Sequence, residues 1–211
     1  MDDRTYWNEY YAAREAVHYP SPFAEFCQAE YLDPTSSILE LGPGSGRDSF
    51  YFFEHGHSVI GVDQSDVAIE GCRSYADQLG GGSRLKFQVG DFTDPDALGL
   101  PPIDVVYSRF TLHSIPADAQ RRLLDAVPSI IGESGVFLAE ARTIKDPLYG
   151  KGTLVGEHEF ITDHYRRHLD AQEFLADVVA RGFKVEYFIE RAGLATFRGE
   201  DPVVLRVALR C

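Results

Sequence analysis

The stretch Ile38–Phe50, ILELGPGSGRDSF, sets three glycines at alternate positions behind an aliphatic run that ends in an acid. Glycine at 42, 44 and 46 lets the chain turn sharply out of a strand and approach a ligand closely, with the N-terminus of the next helix aimed at it. A dinucleotide fingerprint needs its third glycine at position 47, which is Arg47, so the loop is GxGxG and argues against NAD. Acids then recur at strand ends. Asp63 closes VIGVDQS, about twenty residues downstream, where a carboxylate can accept two hydrogen bonds from a ribose. Asp91 follows in FQVGDF and Asp104 opens IDVVYS. Each taken singly is as readily a cap or a solvated turn; their succession behind a glycine loop is what gives them weight.

Working outward, short apolar runs read as strands at Ser37–Leu41, Ser58–Val62, Leu85–Val89, Ile103–Ser108 and Gly135–Ala141. Between them Arg47–His55, Asp66–Leu79 and Ala117–Ile131 carry apolar residues at helical spacing. Such alternation implies a parallel sheet with right-handed crossovers. A polar stretch, Arg142–Asp170, has little periodicity, and segments of that kind are usually functional or mobile. A capped helix follows from Asp170 to Gly182, then two further strands, Lys184–Ile189 and Val203–Leu209, expected as an antiparallel pair at one sheet edge. Ahead of the first strand, DDRTYWNEYYAARE and SPFAEFCQAEYL read as two helices, the second with Ser21 as cap and Pro22 at its first position.

Composition bounds the function. The chain has 211 residues, 44% of them hydrophobic and 25% charged, which suits one globular domain with a sizeable core. A formal charge of −13 repels phosphate backbones and anionic lipids, so neither nucleic acid nor membrane is expected as a partner and a small-molecule substrate is favoured. Cys27, Cys72 and Cys211 are odd in number and widely spaced, suggesting neither a disulfide framework nor a metal site. With an acidic, aromatic N-terminus instead of a signal sequence, a cytoplasmic protein is expected.

The four successive motifs resemble those of the class I S-adenosylmethionine-dependent methyltransferases over Ser36–Arg142, and the terminal strands extend the resemblance by topology to nearly the whole chain. It implies a Rossmann-like, doubly wound α/β fold: a seven-stranded, mainly parallel sheet with the last strand antiparallel, two N-terminal helices and an insert after the fifth strand. Residues 1–211 would form a single domain, with 1–33 as a helical lid and 142–170 as a substrate-side insert. The cofactor implied is S-adenosyl-L-methionine. By position, Gly42, Gly44 and Gly46 would wrap its methionine end with Glu40 facing the amino group. Asp63 and Gln64 would hold the ribose and Asp91 and Phe92 the adenine, while Tyr10, Arg47 and Ser108 would complete the shell. The charges agree independently, because a sulfonium and an ammonium are cations that acids attract and a pyrophosphate is not.

The acceptor is expected beyond the fourth and fifth strands. YSRFTLHS places Arg109 and His113 there, LAEARTIKD places Glu140 and Arg142, and DHYRRHLD places His164, Tyr165, Arg166 and Arg167. His113 is the leading catalytic base, since histidine titrates in the useful range, against the alternative of a ring packed at a helix start. Glu140 is a second base, a metal ligand or, ranked first, a partner for Arg142. The arginines are either solvated and paired with surplus acids or a clamp for a carboxylate or phosphate. Tyr6, Trp7, Tyr10 and Tyr11 form either a lid face or a core stripe. The expected activity is methyl transfer to a small polar, anionic or sugar-like acceptor at oxygen. The alternatives are a non-catalytic module that senses the cofactor and, disfavoured by Arg47 and the acids, an NAD-dependent oxidoreductase.

Overall fold

The computed structural model describes residues 3–17 and 19–211; Met1, Asp2 and His18, which belong to the expected N-terminal lid, lie outside the described residues. Strands β1 (Ser37–Leu41), β2 (Ser58–Asp63), β3 (Leu85–Val89), β4 (Val105–Arg109) and β5 (Val136–Arg142) pair in parallel. The sheet is completed by β9 (Lys184–Arg191) and β10 (Val204–Arg210), in the order β3-β2-β1-β4-β5-β10-β9. β10 runs antiparallel between β5 and β9, so the last strand in the chain is interior and β9 forms the edge.

Parity along each strand decides which helix layer a side chain meets, because successive residues point to opposite faces. Leu39, Leu41, Val106, Phe137 and Ala139 pack with Leu123, Leu124 and Val127 of α5 (Ala117–Ile131) and Phe174 and Val178 of α6 (Ala171–Ala180). Their neighbours Ile38, Val105, Tyr107, Val136 and Leu138 face α2 (Pro22–Glu30), α3 (Arg47–Glu54) and α4 (Asp66–Gln78). Each fully buried Leu or Phe in these layers contributes about 1.5–3 kcal/mol. Helix starts are capped from the side chain: Ser21 accepts from Ala24 N, Ser65 from Ala68 N, and Asp170 from Gln172 N and Glu173 N.

The segment after β5 is ordered differently from what its weak periodicity suggests. It folds into a separate antiparallel sheet, β6 (Thr153–Gly156), β7 (Glu159–Ile161) and β8 (Tyr165–Arg167). Strands of three and four residues are too short to leave an alternation that can be read from sequence. α1 (Asp3–Ala12) lies over the carboxyl ends of the main sheet. Among the described residues, no helix is long and apolar enough to cross a membrane.

Candidate functional site

A cleft of about 1130 Å³ runs along the carboxyl ends of the parallel strands. Its floor is the glycine loop. Gly42 and Gly44 have φ of +64° and +55°, and a side chain at Gly44 would drive into the Tyr11 ring, one at Gly42 into Thr111. Asp63, at the end of β2, knits the floor together: Gly44 N donates to its Oδ2 at 3.1 Å and Ser65 N to its Oδ1 at 2.9 Å. Burial raises the Asp63 pKa, against the pull of those backbone donors.

Glu40 shares its face of β1 with Ile38 and is 4% exposed at the cleft floor, where Ser49 Oγ donates to it. Burial and then the charge of Asp48 push its pKa up to about 8. Asp48 is itself fully engaged, accepting from Ser21 N at 2.7 Å, Ser21 Oγ at 2.8 Å and Tyr107 OH at 2.8 Å. A buried acid held this far above its ordinary range is a site where a cation would be stabilised. Glu40, Asp63 and Asp91 together line one end of the cleft, with Gln64 and Phe92 beside them. Asp91 Oδ1 accepts from Thr93 N and Thr93 Oγ at 2.8 and 2.7 Å. A steep glycine cradle, three acids and one aromatic wall fit a cationic adenosine derivative such as S-adenosylmethionine, and the acids oppose a pyrophosphate.

The remaining residues expected around the cofactor divide. Tyr10 and Arg47 line the cleft, but Arg47 also anchors the preceding loop, donating to Tyr19 O at 2.9 Å and Pro20 O at 2.7 Å. Gly46 and Ser108 do not line it. Gly46 gives room to Phe50 and Cys72, and Ser108 points to the opposite sheet face, bonded to Thr111 Oγ. Asp104 sits at the amino ends of the strands, where its Oδ2 accepts from Ser37 N at 2.7 Å.

α1 roofs the cleft and is latched on two sides. Asn8 Nδ2 donates to Asp66 at 2.7 Å and Ser65 Oγ donates to Asn8 at 2.7 Å, tying the helix to the start of α4. Tyr6 OH donates to Asp163 at 3.0 Å and the Tyr6 ring stacks on His164 at 4.5 Å, tying it to the β7–β8 turn. Tyr11, below, has its hydroxyl over Gly44, and burial followed by the Asp63 charge raises its pKa well above the usual range.

At the acceptor end, the expected residues again divide, and parity explains how. His164 and Arg166 line the cleft, whereas Tyr165 and Arg167 do not, as alternation along a strand requires. Arg167 turns inward to brace the stretch before α5, donating to Ile115 O at 3.2 Å and Leu112 O at 3.3 Å. Burial and then Arg166 lower the His164 pKa to about 4. Phe110, just past β4, holds φ of +60° and lies under two guanidinium groups, Arg109 at 4.4 Å and Arg142 at 5.5 Å from its ring centre. A bulky residue in that conformation is strained, and such strain gathers at functional sites.

Of the two expected catalytic residues, Glu140 requires correction. Glu140 is fully buried and absent from the cleft wall; it lies on the β5 face toward α2, with Arg109 Nε at 3.1 Å and Arg206 Nε at 2.6 Å. Its partner is therefore not Arg142, which instead bonds Asp146 and Glu200. His113 lines the cleft, but its Nδ1 accepts from Arg142 N at 3.3 Å, so the neutral ring carries its proton on Nε2 and offers a donor. Burial and then Arg142 lower its pKa well below the usual value. A ring so placed is poorly suited to accept a proton. Glu200 and the role of Asp48 escaped the sequence: Asp48 sits inside the glycine-loop stretch, but its partners Ser21 and Tyr107, like Arg142 for Glu200, lie far along the chain.

Residues 38–135 match a family model described as a methyltransferase domain. No curated protein matches the sequence. Solved structures with the same fold include the CcbJ methyltransferase from Streptomyces caelestis, at TM-score 0.73 and 18% identity over 100% of this chain and 99% of that one. The glycopeptide N-methyltransferase MtfA, complexed with S-adenosyl-L-homocysteine, aligns at TM-score 0.68 and 18% identity over 94% and 90% of the two chains. The [4+2]-cyclase SpnF aligns at TM-score 0.73 and 12% identity over 98% and 91%. At such identities the likeness is one of fold, and a fold hosts more than one chemistry.

Proposed function

We propose that the chain is a class I S-adenosylmethionine-dependent methyltransferase, a reading supported by the methyltransferase-domain match over residues 38–135, and that it methylates a small acceptor that carries an anionic group, at oxygen. The observation that carries the cofactor half is the acid-lined glycine cradle, in which Asp63 binds the N–H groups of Gly44 and Ser65 beneath the open floor. S-adenosylmethionine supplies an electrophilic methyl carbon on a sulfonium, and the protein's task is alignment at near-attack distance. Glu40 would take the ammonium, Asp63 and Gln64 the ribose, and Asp91 and Phe92 the adenine. Residues 1–33 would act as the lid and 142–170 as the acceptor-side insert.

On the acceptor side, Arg142, Arg166 and His164 would orient the anion, with Arg109 adding charge from below. His113, with its proton on Nε2, would donate a hydrogen bond to the acceptor. A proton acceptor is needed only when the nucleophile arrives protonated. An acceptor that is already anionic at the attacking oxygen removes that need, which agrees with a site whose two expected bases are engaged elsewhere.

Calorimetry with S-adenosylmethionine and S-adenosylhomocysteine tests the cofactor half; binding of neither would remove the proposal. A panel of small carboxylic acids, phosphorylated acids and sugars, scored by S-adenosylhomocysteine release with and without magnesium, tests the acceptor half. Turnover confined to neutral acceptors would overturn the anionic assignment.

A further inference from the structure

Arg142 is held rigidly along one edge and exchangeably along the other. Its Nη1 donates to Asp146 Oδ1 at 3.2 Å and Oδ2 at 3.0 Å, and Asp146 is fixed in turn by Leu148 N at 2.8 Å and Val203 N at 3.1 Å. The Asp146 side chain has no exposure, so this half of the arrangement is structural. Arg142 Nη2 donates at 2.8 Å to Glu200, whose side chain is 68% exposed and which lines the acceptor end of the cleft. Glu200 sits in a tight turn closed by reciprocal backbone bonds with Phe197, at 3.0 and 2.9 Å. The wider loop is pinned where Gly193 N meets Asp201 at 2.7 Å. The Glu200 side chain can therefore swing into water while the backbone stays in place, and an exposed carboxylate is released from a surface pair at little cost.

We propose that Glu200 is a built-in stand-in for the acceptor's carboxylate: it occupies the outer edge of Arg142 until an anionic group of the acceptor displaces it. This rests on the methyltransferase assignment and specifies its acceptor as a carboxylate, or a similarly flat anion, seated on Arg142 beside the Phe110 ring. Charge around the seat supports the exchange. The Arg109 guanidinium, held by Glu140, lies 4.4 Å from the centre of the same Phe110 ring and adds a second cation beside the seat. A preformed guanidinium edge favours bidentate recognition of a flat anion, and the competing internal carboxylate would set a threshold that neutral molecules cannot profit from overcoming.

The test uses full-length protein loaded with S-adenosylhomocysteine, benzoate and benzamide as probes, and the emission of Trp7, the sole tryptophan, which lines the cleft. Glu200→Gln should bind benzoate about 3-fold more tightly than the parent, with benzamide unchanged. Adding Arg142→Gln should abolish the preference for benzoate. Equal benzoate affinity in parent and Glu200→Gln, an equal gain for benzamide, or no saturable benzoate response in Glu200→Gln would each overturn the inference. Binding of S-adenosylhomocysteine, measured first, separates the two layers: its absence removes the methyltransferase assignment and this inference together, whereas normal loading with any of the three adverse outcomes removes the inference alone.

Discussion

Arg206 stands directly opposite Glu140 in the antiparallel register of β10 and β5, and its Nε donates to the Glu140 carboxylate at 2.6 Å inside the sheet layer. The same carboxylate holds Arg109 at 3.1 Å, and burial raises its pKa against the pull of both arginines. Removing it leaves two buried cations without their acid. Glu140→Ala should therefore destabilise the fold by about 3–5 kcal/mol, lowering Tm by about 2–4 °C per kcal/mol in a chain of this size. Thermal unfolding checks this. Lost turnover at unchanged Tm would return Glu140 to a chemical role.

Glu40 predicts a proton coupled to cofactor binding. Its folded pKa of about 8 lies above the ordinary carboxylate range, so the folded chain holds that proton more tightly than the unfolded one. Its contribution to stability is present at low pH and is lost as pH rises through about 8. A bound cation favours the ionised form, so below that pH binding should expel close to one proton, and affinity should rise with pH until about 8. Calorimetry of S-adenosylmethionine in buffers of different ionisation enthalpy reads the proton directly. Glu40→Gln should abolish the release and weaken binding by about tenfold, through a lost charge-assisted bond.

Asp63 is expected to carry cofactor affinity with little effect on the core. Asp63→Asn keeps the shape but loses charge and one acceptor toward Gly44 or Ser65. Affinity for S-adenosylhomocysteine should fall by about 1–3 kcal/mol. Unchanged affinity in a folded variant would take Asp63 out of the site.

Arg166 and Arg167 are neighbours with opposite expected phenotypes. Arg166 lines the cleft beside Asp163 and His164, so Arg166→Ala should raise the KM for an anionic acceptor severalfold and leave Tm and cofactor affinity alone. Arg167 braces Leu112 O, Ile115 O and Gln120 from a buried position, so Arg167→Ala should cost about 1–3 kcal/mol of stability, the penalty for leaving buried acceptors unmet. The same phenotype from both would refute the alternation of β8.

What could be read from the sequence was local. Strand and helix limits followed from apolar runs and caps such as Ser21 and Asp170, and most fall within two residues of those observed. The glycine-loop end of the cleft was legible because Gly42, Gly44, Glu40 and Asp63 lie close to their strand ends and need only the β–loop–α order to converge. The acceptor half was not. Arg142 finds Glu200 across 58 residues and Arg206 finds Glu140 across 66, pairings fixed by where β10 inserts. HYRRH resembled one basic patch, yet a strand sends its members to opposite sides. The insert's sheet left no pattern at all, since β7 and β8 have three residues each.

That division decides what a substitution can change. The donor end of the cleft is built mostly from one continuous stretch, Glu40 to Phe92, inside the 38–135 segment that matches the family model. The acceptor end is pieced together from the residues after β4, the three-stranded insert and the loop before β10, with α1 laid across both ends. Substitutions in these outlying pieces can reshape the far end of the cleft while the glycine cradle and its acids stay intact.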